Sequence, residues 1–380
     1  MILYMNLKIL AGALLLSSCV FHKKPIIQVK PDDKRKISQM LIVGIGKTVE
    51  YDEMSDSMKR DLKDIGGVIL YKYTFDRINR RNIYSEKQTK KLIHDIKEKA
   101  YITPFIAVDQ EGGIVSRFTS GDFFSEDVDL EAHGELAKLD KNSVYGKVYK
   151  MSKYLKSIGV DINFAPVVDI NVNKSNQVIS KLNRSFSDKP EVVSLYAEQY
   201  MKAANDAGII SSLKHFPGHG SASGDSHLGF VDVSDKWGEK ELEPYKYFVK
   251  NYHDFSKKNM IMTAHVFNKN LDEKYPATMS YNINQKILRD EIKFDGILIS
   301  DDLQMRAISD NFNFEETLVR SINSGVDMFI VGNNLKLDEK AKEKFVNAVV
   351  KNIENGRIDI QKINKSYDKI IAMKKLYKVL

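Results

Sequence analysis

The 380-residue chain has a single cysteine, Cys19. No disulfide can staple the fold internally, and the lack of a second thiol suits an exported protein. Long apolar runs are also missing near the N-terminus. A spanning helix needs about 20 apolar residues, and Ile9 to Leu16 falls well short of that. There is no aromatic-interleaved basic stripe either. The formal charge is +7, but the lysines lie among glutamates and aspartates, as between Lys87 and Lys99. That mixture describes a solvated surface, and no nucleic-acid partner is expected. Internal repeats and low-complexity tracts are absent. With 43% apolar and 29% charged residues, the chain reads as globular, neither disordered nor fibrous.

What stands at the N-terminus is a short, structured signal. Lys8 precedes the apolar run, and Ser17 and Ser18 follow it, directly before Cys19. Residues 1–18 therefore read as a signal peptide. Leu16-Ser17-Ser18-Cys19 resembles the bacterial lipobox, in which the cysteine receives a diacylglyceryl group and becomes the mature N-terminus. The expectation is a protein anchored to a membrane and not threaded through it. It would sit in the bacterial cell envelope, facing the periplasm or the exterior. Residues 19–36, polar and lysine-rich with Pro25 and Pro31, read as an extended tether. The globular domain is expected over residues 37–380.

Within that domain eight short, continuously apolar runs recur. They are Met40–Gly44, Gly67–Tyr71, Phe105–Asp109, Asp161–Ala165, Ile209–Leu213, Met260–Ala264, Gly296–Ser300 and Asp327–Val331. Runs without alternation fit strands buried on both faces of a parallel sheet. Between them lie helical patterns at 87–100, 144–158, 192–207 and 315–324, three of which end in Gly159, Gly208 and Gly325. Eight strand and helix units in one domain predict an α/β fold, a (β/α)₈ TIM-type barrel.

In such a barrel the reactive groups sit where strands pass into loops at the carboxyl face. Asp109 follows the third run, Lys214 and His215 the fifth, His265 the sixth and Asp301 the seventh. The densest constellation is the segment 214–227, KHFPGHGSASGDSH, with three histidines and an aspartate on one glycine-rich loop. Asp109 and Arg117, flanking Glu111-Gly112-Gly113, offer a carboxylate and a guanidinium suited to adjacent sugar hydroxyls. Of the neighbours Asp301 and Asp302, the second is expected to point away or to cap the following helix.

DQEGG with Arg117, KHFPGHG with DSH, and SDDLQM together resemble the β-N-acetylhexosaminidase branch of glycoside hydrolase family 3, over residues from about Ile37 to the C-terminus. The resemblance implies a single-domain barrel that removes terminal N-acetylglucosamine with retention, commonly from peptidoglycan fragments, without metal or other cofactor. It implies Asp301 as nucleophile and His227, backed by Asp225, as acid/base. Most retaining enzymes use two carboxyl groups about 5 Å apart. An imidazole with a pKa of about 6.5 can serve as the second group when an aspartate orients it. By the same resemblance Asp109, Arg117, Arg184, Lys214 and His215 match sugar-binding positions, with Met305 on the wall below the nucleophile. The chain departs from the family pattern at Ser221-Ala222, where an acidic residue and threonine are usual, and at Ser187, where glycine is usual.

Two other classes remain open at this point. His215, His219, Asp225 and His227 are the ligand types of a metal-dependent hydrolase, although Pro217-Gly218 prevents His215 and His219 from sharing a helix face. A sugar-binding lipoprotein without turnover would use the same pocket.

Overall fold

The computed structural model describes residues 28–225 and 228–380. Residues 1–18, Cys19, the first part of the tether and His227 lie outside the described residues.

The eight apolar runs form one closed barrel of parallel strands. In chain order they are β1 (Leu41–Gly44), β2 (Gly67–Ile69), β3 (Phe105–Val108), β4 (Ile162–Asn163) and β5 (Ile210–Phe216), then β7 (Met260–Thr263), β9 (Ile297–Asp302) and β10 (Met328–Val331). β6 (Val231–Asp232) and β8 (Val266–Phe267) pair with each other outside the barrel. Closure runs through β1, which pairs with β2 on one side and β10 on the other. Every residue of β1, β2, β3, β5, β7 and β10 is buried, as expected of strands covered on one face by helices and on the other by the barrel interior. Only β9 emerges, its last two residues Asp301 and Asp302 being half-buried at the mouth.

The four helical patterns are the helices Glu86–Glu98, Lys141–Ser157, Pro190–Asp206 and Phe314–Ser324. Local chemistry sets their ends. Asp140 accepts from the Ser143 amide at 3.0 Å and Asn313 from the Glu316 amide at 2.8 Å, so each side chain satisfies an orphan N–H of the first turn. Phe314–Ser324 stops at Gly325, whose φ of +100° a side chain would resist. Along Lys141–Ser157 the buried residues Val144, Val148, Met151 and Leu155 make the core-facing stripe.

The tether expectation is corrected at its end. Residues 31–36 are the first part of a helix, Pro31–Gln39, that packs against Ala341–Glu354 and Ile360–Leu376. Pro31 starts the helix instead of extending the chain, because a proline at the first helical position gives up an N–H that has no partner there and already has a helical φ. Asp32 and Asp33 favour the positive end of the helix, and Asp33 accepts from the Lys30 amide at 3.1 Å.

Among the described residues no helix is long and apolar enough to cross a membrane.

Candidate active site

At the carboxyl ends of the strands a cavity of about 560 Å³ opens, a size typical of small-molecule sites. Asp109, Arg117, Arg184, Lys214, His215, Asp225, Asp301 and Met305 all line it. Thus these eight candidates reach one space although they span almost 200 positions of chain, whereas His265, also read at the end of a strand, does not line it. His227 and Cys19 lie outside the described residues.

A charge network forms one wall. Lys214, near the end of β5, bridges two carboxylates, its Nζ lying 2.9 Å from Asp109 Oδ1 and 2.7 Å from Glu111 Oε1. Arg117 donates to Asp109 Oδ2 at 2.9 Å. Arg184 forks onto Glu111, Nε and Nη2 each donating at 2.8 Å. Burial alone would raise the Asp109 carboxyl, but Lys214 and Arg117 outweigh it and hold it below its ordinary value. Glu111 is likewise driven well below its usual range, Arg184 and Lys214 overcoming the burial that opposes ionisation. Burial pushes the Lys214 ammonium down, yet Asp109 and Glu111 leave it raised. All five groups therefore carry charge at neutral pH, three cations to two anions.

Such a wall suits a ligand rich in hydroxyls. Its polar groups are already oriented by one another, so little ordering is left to the moment of binding. Tyr71 packs beneath, with the guanidinium carbons of Arg81 and Arg117 each 5.6 Å from its ring centre.

The β5 loop supplies the second wall. Asp169, just beyond β4, organises it, its Oδ1 accepting from the His215 amide at 3.1 Å and the His219 amide at 2.8 Å. Its Oδ2 lies 2.6 Å from His215 Nδ1. That contact leaves Nε2 as the ring nitrogen His215 can present to the cavity. Asp169 stays ionised because His215, and less strongly His219, counter the burial that would raise it. Burial, with His215 close by, lowers His219 to about 4, so its imidazole is neutral at pH 7. Among the described residues no three of His, Cys, Asp and Glu converge as a metal-binding group.

Asp301 and Asp302 both line the cavity. The expectation that Asp302 points away or caps the following helix is corrected: it lines the cavity, the helix Arg306–Ser309 has no side-chain cap, and Asp302 Oδ1 accepts from the Gln304 amide at 3.0 Å and the Gly332 amide at 3.0 Å. Asp302 thus ties the end of β9 to the end of β10. Asp301 Oδ1 accepts from the Asp302 amide at 2.8 Å. Met305, buried, opens the short helix Arg306–Ser309 beside them. His265 proves to be a strut, with Nδ1 2.8 Å from Thr278 Oγ1 and Nε2 2.9 Å from the Asp302 carbonyl.

Glu111 and Asp169 were not singled out from sequence. Glu111 lies inside the DQEGG motif, and an acid between a buried strand and two glycines was its signal. Asp169 follows Val167-Val168 as Asp109 follows its own apolar run, but the fourth run was read as ending at Ala165. Neither departure from the family pattern displaces the wall: Ser221 and Ala222 are buried in the loop, and Arg184, before Ser185-Phe186-Ser187, keeps both bonds to Glu111.

The family model for the glycosyl hydrolase family 3 N-terminal domain matches residues 33–373. Beta-hexosaminidase A of Pseudoalteromonas piscicida is 32% identical over 343 residues, which cover 85% of this chain and 55% of that protein. A beta-hexosaminidase of Shewanella frigidimarina is 35% identical over 280 residues, covering 71% of this chain and 75% of that one. Among solved structures, a glycoside hydrolase family 3 beta-N-acetylglucosaminidase from Paenibacillus sp. str. FPU-7 superposes with a TM-score of 0.79 at 28% identity, over 91% of this chain and 62% of that one. The chain therefore spans just over half the length of the Pseudoalteromonas relative. On this match across nearly its whole described length, the chain belongs to glycosyl hydrolase family 3.

Proposed function

We propose that the chain is a retaining β-N-acetylhexosaminidase that removes terminal, non-reducing β-linked N-acetylglucosamine, with peptidoglycan fragments as its substrate class. The observation that carries this reading is the shared cavity: Asp301 at the end of β9 and Asp225 on the β5 loop line the same space as the Asp109–Lys214–Glu111–Arg184 network. The Pseudoalteromonas and Shewanella relatives are beta-hexosaminidases and the Paenibacillus structure is a beta-N-acetylglucosaminidase, which supports the sugar chosen.

In the proposed reaction an Asp301 carboxylate oxygen attacks the anomeric carbon while His227 gives its proton to the leaving glycosidic oxygen. The bond to the aglycone breaks and a glycosyl ester forms. His227, now neutral, takes a proton from water, and the resulting hydroxide displaces Asp301 from the anomeric carbon. Asp225 orients the imidazole and supports its charged form. Asp109, Arg117, Lys214, Arg184 and His215 hold the sugar, and no metal takes part.

Hydrolysis of an aryl N-acetyl-β-glucosaminide, beside the matching glucoside, tests this. Asp301→Ala and His227→Ala should each lower kcat by about a thousandfold or more, with chelator leaving the wild type unchanged. Activity surviving in Asp301→Ala would sink the mechanism.

We further propose that residues 1–18 are removed and that Cys19 carries the lipid, placing the barrel at an envelope membrane. Cys19→Ser should move the protein from the membrane to the soluble fraction; unchanged membrane association would remove the anchor.

A further inference from the structure

The β5 loop is gripped from two sides. On the barrel side, Asp169 takes the amides of His215 and His219, and Asn176 Nδ2 donates to the His219 carbonyl at 2.8 Å. On the outer side lies a segment that the proposed mechanism does not use. Trp237 Nε1 donates to the Pro217 carbonyl at 3.1 Å. The Gly220 amide donates to Glu241 Oε2 at 3.0 Å. Lys236 Nζ donates to Ser223 Oγ at 3.2 Å. Three contacts thus fall at Pro217, Gly220 and Ser223, stepping along the loop toward Asp225.

Glu241 is the buried member of this set, 1% exposed. Gly218 lies directly on it: a Cβ at that glycine, whose φ is +123°, would come within 2.6 Å of both Glu241 Cβ and Oε2. The loop therefore rests its backbone on the carboxyl. Behind Glu241 the helix Glu243–Asn251 brings Tyr245, whose ring meets Phe216 of β5 edge-on at 5.0 Å. That packing fixes the clamp to the barrel wall.

We propose that the segment Trp237–Glu241 is a clamp on the β5 loop, and that Glu241 is a positioning residue which holds Asp225 in register with Asp301. This rests on the reading of Asp225 and His227 as the proton-transfer pair.

The charges around Glu241 make the clamp sensitive to pH. Burial pushes its carboxyl up to about 8; the hydrogen bond from the Gly220 amide offsets part of that, and Asp169, from the segment after β4, adds to it. None of these groups is a cation. Tyr245, the titratable group from the helix behind, is itself held protonated by burial. The clamped loop thus favours the neutral acid. Below about pH 8 it is held, and above that a second carboxylate next to Asp169 opposes the closed arrangement.

Trp237 is the only tryptophan in the chain, so its fluorescence reports the clamp without any substrate. In the wild type a titration from about pH 6 to 9.5 should show a transition near pH 8, and Glu241→Gln, which keeps the acceptor and cannot ionise, should lack it. On the aryl N-acetylglucosaminide, Glu241→Ala should lower kcat by about tenfold to a hundredfold with KM little changed. Glu241→Gln should recover most of that kcat and carry the alkaline fall to higher pH. A fluorescence transition that persists in Glu241→Gln, or is missing from the wild type, would overturn the clamp. So would a Glu241→Ala enzyme with raised KM and unchanged kcat. If Glu241→Ala does not fold, the comparison of wild type with Glu241→Gln decides alone. If the wild type turns over no glycoside, the functional reading fails while the fluorescence still judges the clamp.

Discussion

Glu111 is the residue on which the charged wall depends. Fully buried, it accepts two bonds from Arg184 and one contact from Lys214. Glu111→Ala would leave a buried guanidinium without the carboxylate that bonds it and leave Lys214 with Asp109 alone. Removing one partner of a buried ion pair costs about 3–5 kcal/mol, and denaturant unfolding of Glu111→Ala at pH 7 should show a loss of that order. The double variant Glu111→Leu with Arg184→Met removes both charges and should recover much of the loss. Equal destabilisation in single and double variants would show that packing, not the unpaired charge, sets the cost. The sequence showed Asp109, Arg117, Arg184 and Lys214 as separate sugar-binding candidates. It could not show how they are joined, because the residue that links Arg184 to Lys214, Glu111, is recognisable only when residues 73 positions apart are brought side by side, and Asp169 likewise meets His215 across 46 positions.

At the scale of elements, all eight strands were legible because a parallel barrel strand is buried on both faces and so writes itself as an unbroken apolar run. Helix ends were legible where a glycine adopts positive φ, as at Gly325. Elements held by side chains from a distant loop were not. The segment 171–180 shows this. Asn173 Nδ2 donates to the Ala222 carbonyl at 2.9 Å and Asn176 Nδ2 to the His219 carbonyl at 2.8 Å, while Asn176 Oδ1 accepts from the Val178 and Ile179 amides, both at 2.9 Å. Asn176 therefore ties its own loop and the β5 loop together. Asn176→Ala would leave these buried backbone groups without their partner, at about 1–3 kcal/mol. The expected outcome is a lower unfolding midpoint together with a fall in kcat, because the loop it braces carries Asp225. A variant of wild-type kcat at lowered stability would mean that the barrel-side bracing serves folding alone.

For the whole molecule the two faces of the barrel divide the work. The carboxyl face holds the site, and the opposite face is closed by the C-terminal helix Ile360–Leu376. There Lys374, fully buried, donates to Gln39 Oε1 at 2.7 Å and to the Thr103 carbonyl at 2.8 Å, the residues that lead into β1 and β3. Burial, with Lys97 adding to it and Asp161 opposing, lowers its ammonium from 10.5 to about 7. Between those values the unfolded chain binds a proton that the folded chain lacks, so stability rises with pH across that window, by up to about 1.4 kcal/mol per pH unit. Glu241 has the opposite sign. Its carboxyl, raised from 4.5 to about 8 mainly by burial, contributes stability that is complete below 4.5 and is lost as pH climbs to about 8. The two slopes oppose each other between about pH 7 and 8, and Lys374 acts alone above that. Urea midpoints measured at about pH 6, 7.5 and 9 for wild type, Lys374→Met and Glu241→Gln separate the two groups. Lys374→Met should lose the rise from 7.5 to 9 and keep the fall from 6 to 7.5, whereas Glu241→Gln should lose the fall and keep the rise. A Lys374→Met protein with the wild-type slope above pH 7.5 would place the lysine's proton on the folded state throughout, and its bonds to Gln39 and Thr103 would then be those of an ammonium.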